Sequence, residues 1–424
     1  MERSYIEEVL KRKKEKVLVK GWVHDTRELG KIRFLLLRDV TGIIQVVAVK
    51  KEVPGNVFEA MSQSRESVLE IEGKTKESEQ APGGVEIVPE RIILVAEAEH
   101  PLPIDVSDFS KTELNKRLDY RFLDLHNRKS QAIFKIQSVI ANLFREHFLE
   151  KGFIEVQLPS IISAASEGGT ELFPVQYFEK KAYLAQSPQL YKQMLACSLE
   201  KVFTITPVWR AEKHNTIRHL NESRQMDIEI AFSGQKEVMK ELEQVVVEIV
   251  KKVIEKCKKE LELLQVKLKI PKAVYLSYEE AIKKVKGKIG EDFSPEQEKK
   301  LCEMYPGDIV FTSSWPSSIK PFYIMPQGEN PNAKFSEGFD TLFNGVEISS
   351  GGQRVHLPKL LIERLKAKKL NPGNFESYIN SFRYGSPPHA GWSIGLERFT
   401  QALLGLDNIR EACLFPRDRD RLVP

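Results

Sequence analysis

The stretch AQSPQLYKQ, residues 185–193, sets a lysine among hydroxyl, amide and apolar side chains. A buried ammonium without a partner is very costly, so Lys192 needs water or a negative group to face. Three further stretches carry residue types suited to phosphate and metal chemistry. In VWRAEKHNTIRHLNESRQMDIEIAF, residues 208–232, Arg210 and Glu212 lie two apart and so share one side of a strand. A basic loop with His214, Arg218 and His219 follows, then a second strand with Asp227 and Glu229 on a common face. Such a hairpin offers cations to a polyphosphate and acids to a metal or an amine; a surface hairpin laced with salt bridges has the same pattern. In GVEISSGGQR, residues 345–354, Glu347 and Ser350 supply the oxygen ligands magnesium prefers, and Arg354 suits bidentate capture of a carboxylate or phosphate. Taken alone, this run could equally be a glycine turn between strands. In HAGWSIGLERFTQALLG, residues 389–405, glycines lead into a helix with Arg398 near its start. Cation and helix N-terminus can together face an anion there, unless Arg398 is paired structurally. Neither GxxxxGK[ST] nor GxGxxG occurs, so nucleotide phosphates would have to be held by side chains, for which arginine is the natural choice.

These residues must be positioned by a chain of 424 residues, long enough for two or three domains. With 41% hydrophobic and 29% charged residues, the composition is that of an ordinary globular protein. A net charge of +4 is too small to mark a polyanion binder, so any nucleic-acid surface must be a local patch. The four cysteines form no CxxC pair and the eight histidines no HExxH or HxxxH, which disfavours structural zinc and a disulfide framework. The N-terminal MERSYIEEVLKRKKEK lacks the apolar run of a signal peptide, and no apolar stretch approaches the roughly 20 residues of a membrane helix. The expectation is a cytoplasmic, reduced protein without a membrane partner.

Residues 16–99 contain five strand-like runs: KVLVKGWVHD, IRFLLLRDV, GIIQVVAVK, SVLEIEGKT and GVEIVPERIILVAEA. A short helix fits between the third and fourth. This is the layout of an OB-fold, which often binds single-stranded nucleic acid, and also of a small β-barrel used only for packing. Residues 1–100 are thus expected as one domain, the proline- and charge-rich 101–128 as a hinge, and 129–424 as an α+β domain. Helices are expected at about 131–151, ending at Gly152, and at about 235–264, where Val238, Leu242, Val245, Ile249, Val253 and Cys257 line one face. A strand, FIEVQLP, should follow the first helix.

In this order, the stretches resemble the signature motifs of class II aminoacyl-tRNA synthetases. Residues 131–159 resemble motif 1, 207–232 motif 2, and GWSIGLERF within 389–405 motif 3. An N-terminal OB-fold joined by a hinge is the anticodon-binding arrangement of the aspartate/asparagine/lysine subgroup. SEGGTELFPV, QSPQLYK, RAEKHNTIRHLNE, GVEISSGGQR, RYGSPPHAG and LFPRDRDRLVP are similar to the archaeal/eukaryotic aspartyl enzymes. The resemblance implies a five-stranded OB-fold barrel plus a catalytic domain with an antiparallel sheet flanked by helices. It further implies a homodimer formed through motif 1, ATP as substrate, and Mg2+. The aspartate α-carboxylate would attack ATP directly, and the 3′-terminal adenosine of tRNA would then attack the aspartyl-adenylate.

Site residues follow from the same resemblance. Glu167, Gln189, Lys192, Ser350 and Arg354 would hold L-aspartate, with Lys192 and Arg354 on its side-chain carboxylate. Arg210 would take the α-phosphate, with Glu212, Arg218, His219 and Leu220 lining the nucleotide site. Glu347 would contact ATP and, with Ser350, hold magnesium. Gly395, Leu396, Glu397 and Arg398 would close the ATP site, Arg398 acting on the purine and γ-phosphate. Asparagine would leave Lys192 and Arg354 without a countercharge, and sites built on such a contact reject the wrong analogue by about 10⁴–10⁵. Lys192 therefore favours aspartate over the rival asparaginyl specificity, and the intact motifs disfavour a non-catalytic paralogue. Two positions depart from the family pattern. Ser223 and Arg224 follow Glu222 where many members place an aromatic under the adenine, and Trp392 and Ser393 stand where Phe and Gly are commoner.

In the barrel, Arg27, Phe34 and Gln45 fall where the family contacts the anticodon, Phe34 by stacking on a base. Otherwise Phe34 would be barrel core and Gln45 an ordinary edge residue. Members strict for tRNA-Asp carry tryptophan at the position of His24 and lysine at that of Pro82; relaxed members resemble this chain, with HDTREL and EQAPGG. The expectation is aspartylation of both tRNA-Asp and tRNA-Asn, with a separate amidotransferase converting the mischarged product.

Overall fold

The computed structural model describes residues 1–11, 15–107, 109–163, 172–214 and 216–424. They form two units, Met1–Pro103 and Ile104–Pro424.

In the first unit, β1 (Lys16–Leu29), β2 (Ile32–Arg38), β3 (Ile43–Val49), β4 (Val68–Glu77) and β5 (Val85–Ala96) close a barrel in the order β1-β2-β3-β5-β4. Helix α1 (Gly55–Ala60) follows β3. Alternate residues such as Val17, Val19, Leu35, Leu37, Ile44 and Val46 fill the interior, and their neighbours point outward. The strand number, order and helix position are those of an OB-fold, as expected.

The second unit holds helices α2 (Arg128–Glu150), α3 (Gln189–Leu199), α4 (Gln235–Lys256) and α5 (Leu396–Leu404), besides shorter ones. Its large sheet comprises β6 (Ile154–Glu155), β7 (Lys201–Trp209), β8 (Glu222–Ala231) and β9 (Ala273–Ser277). It continues with β10 (Ile309–Ser313), β11 (Gly338–Phe343), β12 (Val346–Gln353) and β13 (His389–Gly395). The eight strands run β9-β10-β11-β12-β13-β8-β7-β6, with parallel pairing only at the two edges.

Several expected elements change in detail. Helix α2 starts at Arg128 because the Asn127 side chain accepts from the backbone of Lys129 and Ser130. The helix expected over 235–264 is broken at Cys257 (φ −114°, ψ 32°), and Lys258–Leu264 forms a separate helix. The apolar period hides this break, since Cys257 and Leu261 enter the same core as α4. FIEVQLP contributes only the two residues of β6. Within 101–128, Leu114–Asp119 and Arg121–Asp124 are helical. Buried Arg121 fastens them by donating to Asp124 and to the carbonyls of Glu411, Cys413 and Leu414.

One face of the large sheet packs on α2 and α4, where Met226, Ile228, Ile348 and Trp392 meet Ile136, Phe144, Leu242 and Val246. Trp392 lies 6.1 Å and 5.8 Å, centroid to centroid, from Phe144 and Phe148. It needs glycine on the next strand, because a Cβ at Gly351 would lie 2.6 Å from the Trp392 Cβ.

A polar lock also joins α2 to α4. His147 faces Glu241 at 2.9 Å on one ring nitrogen and Glu248 on the other, and Lys151 also reaches Glu241. Burial works to raise Glu241, but donation from His147 and Lys151 outweighs it, and Lys252 with His147 pulls Glu248 down. Carboxylates held low in the fold contribute stability above their unfolded range near 4.5, and that stability is lost as pH falls. His147→Gln should lower stability by about 1–3 kcal/mol at pH 7 and shrink the acid-side loss. Urea unfolding at pH 7 and pH 4 checks this; equal changes at both pH values would reject the lock.

Candidate active site

Strand register builds the site on the sheet face opposite α2 and α4. Asp340 of β11 pairs with Ser350 of β12, Ser350 with Ser393 of β13, and Ser393 with Asp227 of β8. Cross-strand partners share a face, so these four side chains form a row, and Glu229 joins it two residues beyond Asp227. In a regular strand Glu347 and Ser350, three apart, would point to opposite faces. A register shift opposite Thr341/Leu342 makes Ile348 an extra residue that turns into the core, and Glu347 returns to the side of Ser350.

Helix α3 delivers Lys192 to this row, where it is 1% exposed. Its Nζ lies 2.7 Å from Asp227 Oδ1, 3.1 Å from the Trp392 carbonyl and 3.5 Å from Glu229 Oε2. Arg354 grips Glu229 through Nε at 2.9 Å and Nη2 at 3.3 Å. The Ser393 hydroxyl donates to the other oxygen of Asp227 at 2.9 Å, so the departure from glycine at 393 adds a support to this carboxylate. Glycine is required at 391, because a Cβ there would collide with Glu229 Oε2. Two cations thus face two carboxylates, and the expectation that asparagine would strand the cations is corrected: the chain itself supplies their countercharge. Burial pushes Asp227 up despite Lys192, whereas Arg354 and Lys192 outweigh burial and hold Glu229 low. Arg354 Nη1 makes no hydrogen bond among the described residues, and so remains a donor for a ligand.

Gln189, also on α3, is oriented by a chain of buried groups. Its Nε2 donates to Gln193 Oε1, which also accepts from Tyr378. The Gln193 amide nitrogen must then donate to His389 Nε2, leaving the His389 Nδ1–H for the Pro387 carbonyl. Burial lowers His389, in keeping with that neutral tautomer. With Nε2 committed, Gln189 keeps its oxygen as an acceptor.

The nucleotide residues lie along the end of β7, the loop after it, and α5. Arg210 directly follows β7, and its backbone N–H donates to Asn221. Arg218 pairs with Glu298 at 2.7 Å and donates to the Gly345 carbonyl. His219 faces Glu212 at 3.7 Å and is lowered by burial, while Leu220 is buried. Gly395 is the N-cap of α5, and Arg398 donates to the Glu347 carbonyl at 3.3 Å. Leu396 enters the core and Glu397 accepts from the Arg224 backbone, so both point into the fold. Burial pushes Glu397 up to about 7. Ser223 shares the face of Asp227, and Arg224 turns to Glu222, so neither replaces an aromatic under a purine.

Glu347 is raised to about 7 by burial and by Asp340, against the pull of Arg398 and Lys320. Asp340 pairs with Lys320 through one oxygen, while its other, Oδ1, is buried without a hydrogen bond. An orphaned carboxylate oxygen beside Glu347 and Ser350 fits magnesium, which takes few protein ligands and keeps waters or phosphates. Among the described residues no group of three His, Cys, Asp or Glu forms a metal site, consistent with such a sparse set. Asp340 and Glu298 were not among the residues picked from the sequence. An acid inside the strand-like run GFDTLF is the signal the sequence offers for Asp340, which is buried with the rest of that strand. Glu167 lies outside the described residues.

On the barrel, Arg27 pairs with Phe34, and Leu36 with Gln45. Leu35 and Leu37 face the core, so Phe34 points outward and is not barrel core. Gln45 donates to Glu86 at 3.2 Å. His24 sits at the bulge between Val23 and Asp25, its Nδ1 3.1 Å from Arg38, which is itself paired with buried Glu66. Pro82 is exposed at the start of the short helix Pro82–Gly84.

An OB-fold barrel in one unit and, in the other, a mostly antiparallel sheet with arginines and acids converging on one face define an amino-acid-activating enzyme of tRNA. Residues 113–419 match the family model "tRNA synthetases class II (D, K and N)" and residues 17–95 that of the "OB-fold nucleic acid binding domain". The chain belongs to the class II aminoacyl-tRNA synthetases of the D, K and N group. It is 48% identical over 419 residues to an aspartate–tRNA(Asp/Asn) ligase of Archaeoglobus fulgidus, covering 97% of each chain. It is 47% identical to the ligase of the same name from Methanocaldococcus jannaschii, covering 97% of this chain and 95% of that one. Among solved structures, asparaginyl-tRNA synthetase of Pyrococcus horikoshii with asparaginyl-adenylate superposes with a TM-score of 0.95, at 35% identity and full coverage of both chains. Aspartyl-tRNA synthetase of Entamoeba histolytica gives 0.89 at 34% identity, covering 100% of this chain and 93% of that one. No helix among the described residues is long and apolar enough to cross a membrane.

Proposed function

We propose that this synthetase activates L-aspartate with ATP and transfers it to the 3′ ends of both tRNA-Asp and tRNA-Asn. The carrying observation is the buried Lys192–Asp227 and Arg354–Glu229 cluster, with Arg354 Nη1 left to donate. A side-chain carboxylate entering this pocket would accept from Arg354 Nη1 and share the Lys192 ammonium with Asp227 and Glu229. An asparagine amide would bring its own N–H groups against those donors, which is the physical basis of rejection. The names of the archaeal relatives support the same substrate and the double tRNA range.

In this reading Gln189 accepts from the substrate ammonium, and Arg210, Arg218 and Arg398 hold the triphosphate. Glu347, Ser350 and Asp340 would hold magnesium, which would supply positive charge to neutralise the triphosphate. The aspartate α-carboxylate attacks the α-phosphorus, forming the mixed anhydride as pyrophosphate leaves, and the chain contributes positioning and charge stabilisation. The terminal ribose hydroxyl of tRNA then attacks the activated carbonyl and AMP leaves. Helix α2, as motif 1, would pair with its copy in a homodimer. An amidotransferase in the same cell would convert Asp-tRNA-Asn, and the setting would be cytoplasmic.

The deciding experiment is charging of separate tRNA-Asp and tRNA-Asn transcripts with aspartate, beside pyrophosphate exchange with aspartate and with asparagine. Comparable charging of both, and exchange with aspartate alone, is the expected result. Exchange driven by asparagine would overturn it. For the barrel, His24→Trp with Pro82→Lys should cut tRNA-Asn charging about tenfold or more while tRNA-Asp charging stays within about threefold, as a few lost or gained base contacts can do. Equal effects on the two tRNAs would remove both residues from the choice.

A further inference from the structure

The run SWPSSIKPF, residues 314–322, follows β10 and delivers a second buried lysine to the cross-strand row. Lys320 is 8% exposed. Its ammonium has two partners among the described residues: one oxygen of Asp340, and the ring of buried Trp315, whose centroid lies 4.2 Å from Nζ. An ammonium over an aromatic face is held there electrostatically. Trp315 is itself fixed, since its indole N–H donates to the Thr312 carbonyl at 2.9 Å. The stem of Lys320 passes close over the start of β11, where a Cβ on Gly338 would lie 3.3 Å from Lys320 Cγ. The loop before it is tied down by Arg364, which donates to the Ser317 carbonyl at 2.9 Å, and by Lys368, which donates to that of Ser318. The lysine is pinned.

A pinned ammonium answers the charge of Asp340 before any ligand arrives. A divalent cation sharing that carboxylate would meet a fixed positive charge in a buried site, where repulsion is poorly screened. Nucleotide reverses the balance. Arg218 is already paired with Glu298, so the incoming triphosphate keeps an excess of negative charge that a divalent cation can answer. On the reading of Glu347, Ser350 and Asp340 as the magnesium ligands, we propose that Lys320 makes metal entry conditional on nucleotide. It is a positioning residue acting through Asp340: its charge keeps metal affinity low in the free enzyme and is outweighed when the triphosphate binds.

The test is Mn2+ binding to the full-length, nucleotide-free enzyme, read from the loss of the free-ion EPR signal; Mn2+ takes the same oxygen ligands as magnesium. Lys320→Met keeps the stem against Trp315 and removes the charge. Lys320→Gln also keeps a donor for Asp340, and carries the test where the methionine variant does not fold. Both should bind Mn2+ about tenfold or more tighter than the wild type, as one unit charge beside a doubly charged ion gives in a partly buried site. Lys320→Arg, with the charge restored, should bind as weakly as the wild type. Adding Asp340→Asn to Lys320→Gln should abolish the gain, which ties the ion to this carboxylate. Binding in the neutral variants no tighter than in the wild type overturns the proposal and leaves Lys320 a brace for Asp340. So does a gain that survives Asp340→Asn, or a wild-type Mn2+ affinity unchanged by a non-hydrolysable ATP analogue. Wild-type exchange that runs in EDTA without added metal would refute the magnesium reading itself, a separate outcome.

Discussion

Replacing Lys192 by methionine should lower kcat/KM for aspartate in pyrophosphate exchange by about 10³, roughly 4 kcal/mol, without creating activity toward asparagine. Methionine preserves most of the side-chain volume, so the effect isolates the ammonium. Its loss also leaves Asp227, fully buried, with the Ser393 hydroxyl at 2.9 Å as its one side-chain hydrogen-bond donor among the described residues. An uncompensated buried carboxylate costs about 3–5 kcal/mol, so the variant should melt lower at neutral pH. The direction with pH is fixed by Asp227, already raised by burial. A raised carboxylate contributes stability below its unfolded pKa and loses it as pH rises through the folded one, so the deficit should grow from pH 5 to pH 8. Adding Asp227→Asn should restore much of the stability and none of the aspartate activity. A double variant that activates aspartate at the wild-type rate would remove Lys192 from recognition and leave it a structural ion pair.

That dual role explains which parts of the site were readable in advance. Strands of the barrel bury one face, so their apolar residues alternate, and the runs over 16–99 marked all five. Helix α2 announced itself by its period, but not by its Asn127 cap, which moves the start to Arg128. The break at Cys257 did not, because burial continues through it, and the two short helices near Arg121 depend on carbonyls about 290 residues away. Within the site, the motif residues could be named from their order in the chain. Their partners could not, since Lys192 meets Asp227 and Glu229 meets Arg354 only once four strands are in register. The bulge at Ile348 is likewise invisible in GVEISSGGQR, yet it decides that Glu347 and Ser350 face the same way. Asp340 enters by that same register, which links the magnesium ligands to the aspartate cluster along a single cross-strand row.

Glu347→Gln tests the far end of that row and should reduce exchange by about 10²–10³ at saturating magnesium, with a raised magnesium requirement. A neutral amide keeps the shape and one oxygen but cannot balance a divalent cation beside Asp340. Stability should move the other way. In metal-free enzyme Glu347 is held at about 7 by burial and by Asp340. Its unfolded value is 4.5, so the wild type has the full benefit below that and loses it as pH rises through 7. Glutamine does not titrate. In EDTA the variant should therefore gain on the wild type between pH 5 and pH 8, by up to roughly 2–3 kcal/mol. Excess magnesium should erase the gain, because the ion stabilises only the wild-type carboxylate. Activity and stability moving in opposite directions is what a residue strained for metal binding would give. A variant both inactive and less stable in EDTA would make Glu347 a packing residue, with the metal held elsewhere.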